Sequence, residues 1–312
     1  MPGGPAKPLR GPKSGERDAE SGERGAKNDL RGRILGFLRA RFSRSRATGL
    51  YLTVAVVLTL FFLWGFLDLA EDLGGSSALA ALDGRVLTFV ISIRSAVATR
   101  VLWGAMVLGD TPSMAALVVL AGALLLAWGK RTYAALVAGS VAVAWGIEAL
   151  AKAVVHRARP PMATALIQVP SSFSFPSGHA LISLVFFGML AFLAVLSVRR
   201  RLLKGAMVAA SALAVATVGF SRIYLGVHWM TDVLASWALG AAWLSVSMGA
   251  YLMWDRFGRP LPDSRPWGKA GTRRIATVVL VLVVVAVVVI AAQFDPLLAK
   301  AISSGADNIL RR

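Results

Sequence analysis

The chain of 312 residues contains no cysteine, three histidines and 16 acidic residues. The absence of cysteine excludes disulfides, thiolate catalysis and metal sites built on cysteine. Charged residues make up only 16% of the chain, hydrophobic residues make up 56%, and long stretches carry no charge at all. Because a soluble protein has about 25% charged residues, this composition indicates a membrane protein.

Seven uncharged apolar stretches approach the roughly 20 residues that a helix needs to cross a bilayer. They are Leu50–Leu67, Thr111–Gly129, Thr132–Ile147, Ala180–Val198, Gly205–Ser221, Val233–Trp254 and Ile275–Phe294. The third extends through Glu148 to Lys152. One such stretch could be a buried helix of a soluble protein, but seven predict an all-α, polytopic membrane helix bundle.

Positive charge is concentrated in segments that fall on one side of the membrane if the seven spans alternate. Residues 1–47, Lys130 with Arg131, Arg199–Lys204 and Arg256–Arg274 hold 24 of the 34 lysines and arginines. Cytoplasmic loops carry such an excess, which predicts a cytoplasmic N-terminus and an external C-terminus. Attraction to an anionic inner leaflet explains the net charge of +18 without nucleic acid as a partner.

The composition also predicts the boundaries of the domains. Residues 1–47 are rich in Gly, Pro, Ser and charge, which is typical of a disordered tail, here basic and cytoplasmic. Residues 48–253 form the membrane-embedded domain, 254–274 a basic cytoplasmic loop, 275–294 an additional transmembrane helix and 295–312 a short external tail. A cleavable signal peptide is the alternative for the first span, but its position after a 47-residue leader favours an uncleaved helix.

Two segments between the spans have a different character. Residues 83–110 are apolar but contain five charges, which favours a helix lying along the outer membrane interface over a further span. The charged residues are Asp83, Arg85, Arg94, Arg100 and Asp110. Residues 153–178 contain four prolines, which predicts irregular backbone outside the bilayer.

Three short polar segments fall together on the predicted external side. "KAVVHRARPP" (152–161) ends the third span, "PSGHA" (176–180) opens the fourth, and "SRIYLGVHWMTD" (221–232) joins the fifth to the sixth. Their cations are Lys152, Arg157, Arg159 and Arg222. Ammonium and guanidinium groups donate to phosphate oxygens and offset the charge of a phosphoryl group in transfer. The segments therefore predict a phosphate-containing substrate.

The second and third segments add groups that could carry out the chemistry. Ser177 and Gly178 stand at a predicted helix N-terminus, where free N–H groups favour an anion. His228 and Asp232 are four residues apart, so on one helix the carboxylate could hold the imidazole of a nucleophile or base. His179 is then the natural general acid. Each group alone also fits a snorkelling cation, a helix cap or a structural hydrogen bond, but the combination on one face favours an active site.

The order and spacing of these residues resemble the signature of the phosphatidic acid phosphatase type 2 superfamily. The matching positions are Lys152-x6-Arg159-Pro160, Pro176-Ser177-Gly178-His179 and Ser221-Arg222-x5-His228-x3-Asp232. The resemblance covers roughly residues 83–253. It implies a bacterial integral-membrane lipid phosphatase with a six-helix core, to which the seventh span is an addition.

The resemblance also implies a role for each matching residue. His228 would attack phosphorus and form a phosphohistidine, Asp232 would orient it, and His179 would protonate the leaving group. The residues that would bind the phosphoryl oxygens are Lys152, Arg159, Ser177, Gly178 and Arg222. Neither a metal nor another cofactor is implied.

Three residues near the signature have other expected roles. Glu148 lies one helical turn before Lys152 and is expected to pair with it. His156 matches no signature position and is expected to be a loop residue. Trp229 follows His228 where bacterial relatives often carry an aromatic residue and then proline, and here Met230 replaces that proline.

The predicted function is hydrolysis of a lipid phosphate or diphosphate at the outer face of a bacterial plasma membrane. Candidate substrates are undecaprenyl diphosphate, phosphatidic acid and phosphatidylglycerol phosphate. The alternative is a lipid phosphotransferase with the same phosphohistidine, since no residue marks a lipid or sugar acceptor pocket. Seven spans argue against vanadate-dependent halide oxidation, and the complete residue set argues against a scaffold or transporter. The headgroup and the oligomeric state stay open at this point.

Overall fold

The computed structural model describes Gly4, residues 47–71 and residues 78–257. The chain divides into two compact units, residues 1–53 and 54–312. Of the first unit, Gly4 and the opening turns of one helix are described. The basic tail, most of the 254–274 loop, the additional helix 275–294 and the external tail lie outside the described residues, and their assignments stay predictions.

The described residues form eight α-helices and contain no strand, which confirms the all-α class. In chain order they are α1 (Ala47–Glu71), α2 (Ala78–Ser92), α3 (Ala96–Gly109), α4 (Thr111–Ala127), α5 (Arg131–Val154), α6 (Gly178–Ser197), α7 (Arg201–Tyr224) and α8 (Met230–Phe257). One 3-10 turn, Met162–Thr164, lies in the otherwise irregular connection between α5 and α6.

Five helices, α1, α5, α6, α7 and α8, are long and apolar enough to cross a membrane by length and composition. Each corresponds to one predicted span, so an integral membrane protein is confirmed. The predicted span Thr111–Gly129 corresponds to α4, which has 17 residues. Helix α4 is long enough to cross a membrane only together with α3, from which it is bent by 60°.

Residues 83–110 differ from the single helix that their charge density predicted. They belong to two helices, α2 and α3, which are separated by a break at residues 93–95. At this break the Arg94 guanidinium donates two hydrogen bonds to the carbonyl oxygen of Tyr224, at 2.6 and 3.0 Å. Ser95 accepts a hydrogen bond from the Ala98 N–H and caps α3. The break therefore occurs where the chain is tied to the end of α7.

Helix α6 is the central element of the second unit. It packs against α5, α7 and α8 and also contacts α3 and α4. Val185, Phe186 and Met189 on this helix have no exposed surface. In contrast, only 6% of the spanning stretch of α1 is buried, as suits a helix that faces lipid. Because α6 is central, its N-terminal residues begin in the interior of the bundle.

The connection from α5 to α6 is held against the end of α7. The Leu166 N–H donates to the Leu225 carbonyl oxygen at 2.9 Å. Gly226, which follows, has a φ of 75°, and a Cβ there would collide with the carbonyl oxygen of Thr164. This close approach requires glycine. The contacts bring the polar segment before α6 next to the one after α7.

Candidate active site

The three polar segments line one cavity of about 180 Å³. Six of the eight residues predicted for the site form part of its wall: Lys152, Arg159, Gly178, His179, Arg222 and His228. Ser177 and Asp232, both fully buried, are not part of that wall. Met114, Trp145 and Ile182 add an apolar portion. The cavity therefore joins a cationic region to apolar side chains.

His228 lies in the turn between α7 and α8, and its backbone N–H donates to the Arg222 carbonyl oxygen at 3.3 Å. Its Nδ1 lies 3.3 Å from Oδ2 of Asp232, and its Nε2 lies 3.1 Å from Nη1 of Arg159. Because α8 begins at Met230, the predicted contact forms across the start of a helix, and the expectation of one shared helix is wrong.

The Asp232 carboxylate determines which nitrogen of His228 carries the proton. A carboxylate accepts hydrogen bonds, so Nδ1 is the protonated nitrogen and Nε2 keeps its lone pair. Burial lowers the pKa of His228 from 6.5 to about 3; this outweighs the raising effect of Asp232, and Arg222 and Arg159 add a smaller lowering. His228 is therefore neutral at pH 7, as a nucleophile must be.

Asp232 is fully buried and has several hydrogen-bond donors besides His228. The Trp229 N–H donates to Oδ2 at 2.9 Å, and the Ser174 hydroxyl donates to the same oxygen. Nη1 of Arg157 lies 2.5 Å from Oδ1. These contacts fix the orientation of the carboxylate, and through it that of the imidazole.

Partly buried Arg157 links two buried carboxylates, those of Asp83 and Asp232, in a chain of charges that the sequence did not reveal. Nη2 of Arg157 lies 2.7 Å from Oδ2 of Asp83, while its Nη1 contacts Asp232. Asp83 also accepts hydrogen bonds from the backbone N–H and the hydroxyl of Thr231, at 3.0 and 2.5 Å. Arg157 stood out in the sequence only as one cation of the first segment, and Asp83 only as a charge in an apolar stretch.

Arg222 is 2% exposed, yet its Nε and Nη1 have no hydrogen-bond partner in the described part of the chain. The hydroxyl of Ser177, also buried, is likewise without one. Ser177 occupies the N-cap position of α6, but its side chain makes no cap hydrogen bond, so the expected side-chain cap is absent. Buried donors without partners are costly, and an anion in the cavity would satisfy them.

Lys152 and Arg159 already have partners. Lys152 pairs with Glu148 at 2.7 Å, which confirms the expected contact. Nη1 of Arg159 donates to the Val227 carbonyl oxygen at 2.8 Å and its Nε donates to the Ser172 carbonyl oxygen at the same distance. These bonds hold the guanidinium beside His228.

Gly178 begins α6 directly beside the carboxylate of Glu148. A Cβ at this position would collide with all three atoms of that carboxylate. The missing side chain therefore allows the α6 N-terminus, Glu148 and Lys152 to meet at the cavity wall.

His179 has a carboxylate partner of its own. Its Nε2 lies 2.6 Å from Oδ1 of Asp110, at the bend between α3 and α4. The third histidine, His156, is exposed and outside the cavity wall, and its ring centroid lies 4.5 Å from that of Phe173 in an edge-on arrangement. Asp110 was missed as a site residue because only the bend brings it to α6.

No group of three His, Asp or Glu side chains suited to holding a metal ion occurs among residues 47–71 and 78–257. The expectation that the reaction needs no metal or cofactor stays a prediction.

Comparison with known proteins identifies the family. The model of the PAP2 superfamily matches residues 132–256. Phosphatidylglycerophosphatase B of Bacillus subtilis (strain 168) is 30% identical over 167 residues, which are 53% of this chain and 81% of that protein. The chain belongs to the PAP2 superfamily. The family resemblance read from the signature residues is thus confirmed, together with the prediction of a membrane-embedded lipid phosphatase.

Two further similarities differ in extent. An undecaprenyl-diphosphatase of Sulfolobus acidocaldarius is 41% identical over 76 residues, covering 24% of this chain and 32% of that protein. The crystal structure of a transmembrane PAP2 type phosphatidylglycerolphosphate phosphatase from Bacillus subtilis superimposes with a TM-score of 0.59 at 26% identity. The match covers 64% of this chain and 98% of that structure.

Proposed function

We propose that this PAP2 protein hydrolyses a lipid phosphate or diphosphate at the outer face of the membrane through a phosphohistidine at His228. The observation that carries the proposal is the position of that imidazole. Its Nδ1 is bonded to a buried carboxylate, and the residue lines a cavity with three cationic side chains, those of Lys152, Arg159 and Arg222.

The phosphoryl group binds first, among donors that are buried or partly buried. Nε and Nη1 of Arg222 and the hydroxyl of Ser177, which lack partners in the described part of the chain, donate to its oxygens. Arg159 lies beside Nε2 of His228 and donates to the same group. Because Arg222 is buried and Arg159 is partly buried, their charges stabilise the negative charge of the transferring phosphoryl group more strongly than they would in water.

Nε2 of His228 then attacks phosphorus with its lone pair, and the bond from phosphorus to the leaving oxygen breaks. His179 gives its proton to that oxygen, so the lipid leaves as a neutral alcohol or as a protonated phosphate. The phosphorylated imidazole keeps its proton on Nδ1 and is cationic, and Asp232 stabilises that charge.

Water completes the cycle. His179, now neutral, accepts a proton from a water molecule whose oxygen attacks phosphorus. The bond between phosphorus and Nε2 breaks, its electron pair returns to Nε2, and inorganic phosphate leaves. His179 is protonated again, so both histidines regain their starting state.

Two observations bear on the substrate and on the membrane face. The similarity to the phosphatidylglycerophosphatase covers 81% of that relative, whereas the similarity to the undecaprenyl-diphosphatase covers 32% of its relative. Phosphatidylglycerol phosphate is therefore the first substrate to examine. The concentration of Lys and Arg in the alternate connections favours a cytoplasmic N-terminus, which supports an external position of the cavity.

Phosphate release by the purified protein tests the activity. The substrates are phosphatidylglycerol phosphate, phosphatidic acid and undecaprenyl diphosphate in detergent, with a chelator present. We expect His228→Ala to abolish release, whereas His156→Ala, the matched control outside the cavity wall, keeps it. Undiminished turnover in His228→Ala would refute the mechanism. Transfer of labelled phosphate to a second lipid would indicate the phosphotransferase.

The cysteine-free sequence allows a direct test of the membrane face. Ala163 and Arg199 are both exposed, the first between α5 and α6 and the second between α6 and α7. In intact cells, a membrane-impermeant maleimide should label Ala163→Cys and leave Arg199→Cys unlabelled until the cells are opened. The opposite pattern would invert the topology.

A further inference from the structure

Helix α2 contributes one side chain to the group around the nucleophile, although it lies outside the three signature segments. Asp83, on this helix, is 1% exposed and has no neighbour in sequence within the site. Its carboxylate accepts hydrogen bonds from Arg157 and from the backbone N–H and hydroxyl of Thr231, the residue that precedes Asp232. Asp83 therefore contacts both Arg157, which binds the Asp232 carboxylate, and Thr231, which precedes Asp232 in sequence.

Arg157 completes the connection. Its two terminal nitrogens each bind a different carboxylate, Nη1 that of Asp232 at 2.5 Å and Nη2 that of Asp83 at 2.7 Å. Nη1 also donates to the hydroxyl of Thr231 at 2.7 Å. The planar guanidinium holds both contacts in a fixed geometry, which an ammonium group on a flexible stem would not.

We propose that Asp83 and Arg157 are positioning residues for the nucleophile, which fix the Asp232 carboxylate against His228 and set the net charge that His228 experiences. Arg157 offsets the charge of Asp232, and Asp83 in turn holds Arg157 in place. The inference rests on the proposed function of His228, and its test has a readout that does not depend on turnover.

Charges on several elements face His228, and they determine whether its pKa should rise or fall when Arg157 is substituted. Asp232 on α8 contacts its Nδ1, Arg159 of the α5–α6 connection contacts its Nε2, and Arg222 on α7 also lowers its pKa. Without Arg157, no guanidinium offsets the negative charge of Asp232 at this contact, so that charge stabilises the protonated imidazole more strongly. The Arg157→Gln substitution should therefore raise the pKa of His228.

The chain has only three histidines, so its imidazole signals can be followed individually by NMR after isotope labelling of histidine. The signal of His228 is assigned by its loss in His228→Asn. In Arg157→Gln we expect its titration midpoint to rise by about one to two pH units, as typical for a change in a nearby charge. We also expect kcat/KM to fall about 10- to 100-fold, as removal of an outer partner commonly produces.

The double variant Arg157→Gln with Asp83→Asn distinguishes positioning from simple stabilisation. Removing the second carboxylate takes away a negative charge that Arg157 no longer offsets, so the midpoint should return towards that of the wild type. A purely structural contact predicts an unchanged midpoint in both variants.

Arg94→Gln is the matched control, because Arg94 also ties the α2–α3 region to the third segment, through the Tyr224 carbonyl oxygen. This control should lower the melting temperature without moving the midpoint. If it moves the midpoint as Arg157→Gln does, or if Arg157→Gln leaves the midpoint unchanged, the inference is wrong.

If Arg157→Gln does not fold, Arg157→Lys replaces it, because lysine keeps the positive charge but lacks the planar guanidinium. This variant should leave the midpoint near that of the wild type while kcat/KM falls. Turnover in His228→Ala would refute the proposed function and leave this titration result standing.

Discussion

Nε2 of His179 lies 2.6 Å from Oδ1 of Asp110. The carboxylate belongs to the bend between α3 and α4, and the histidine belongs to the first turn of the central helix. This gives the site a second histidine–carboxylate pair, in addition to that of His228 and Asp232. The carboxylate accepts a hydrogen bond from Nε2–H and so holds the imidazole in one orientation at the cavity wall, as the proposed general acid requires.

Asp110→Asn should therefore slow the step in which the leaving group departs. We expect turnover of a lipid phosphate to fall about 100-fold, at the low end of what a general acid contributes. The first release of p-nitrophenolate from p-nitrophenyl phosphate should slow much less, because p-nitrophenolate leaves without protonation. The rate of leaving-group release in a single turnover, measured on both substrates, gives the comparison, and His179→Ala should show the same contrast. An equal loss on both substrates would assign Asp110 a structural role only.

Arg222 gives a prediction about binding. Its buried Nε and Nη1 are without partners in the described residues, so a bound phosphate should complete their hydrogen bonds. Charge-assisted hydrogen bonds contribute about 1.5–3 kcal/mol, so Arg222→Gln should weaken inhibition by inorganic phosphate about 10- to 100-fold.

Thermal unfolding in detergent supplies an independent readout for Arg222. Phosphate should raise the melting temperature of the wild-type protein, because a ligand that binds the folded state stabilises it. Arg222→Gln should lose this increase. An equal increase in both proteins would mean that the anion binds elsewhere.

The signature residues could be placed from the sequence because their order and spacing are specific, and the structure brings six of them to one cavity wall. The supporting carboxylates could not be placed from the sequence, because Asp83 and Asp110 lie in an apolar segment with no motif. Their partners are set by the break at residues 93–95 and the bend at Asp110, and tertiary contacts determine both. The apolar run at 111–129 likewise predicted a span of its own, whereas α4 is long enough to cross a membrane only together with α3.

Substitution of Glu148, which pairs with Lys152, should strengthen inhibition by inorganic phosphate, whereas substitution of Arg222 should weaken it. The carboxylate of Glu148 lies in the cavity wall, where it occupies Lys152 and repels an incoming anion. Glu148→Gln removes one negative charge and frees the ammonium, so the inhibition constant for inorganic phosphate should fall a few-fold. Lys152→Gln should raise it. A rise in Glu148→Gln as well would indicate that the carboxylate holds Lys152 in its working position.

The lowered pKa of His228 predicts how stability varies with pH. Its folded value of about 3 lies below the ordinary 6.5, so between these values the unfolded chain binds a proton that the folded chain does not. Stability should therefore fall as pH drops from about 6.5 towards 3, and this contribution should be constant above that range. His228→Asn should weaken the dependence of the melting temperature on pH. An identical dependence in both proteins would contradict the lowered pKa.

The central claim is that phosphorus becomes bonded to Nε2 of His228, and trapping the intermediate tests it most directly. Labelled p-nitrophenyl phosphate is mixed with the His179→Ala variant, in which hydrolysis of the adduct should be slow while the leaving group departs unaided. The reaction is stopped in alkali, and the labelled peptide is identified by mass spectrometry. The account predicts an alkali-stable, acid-labile phosphate on His228, absent when His228→Ala is combined with His179→Ala. Phosphate release without any such adduct, or an adduct on another residue, would contradict it.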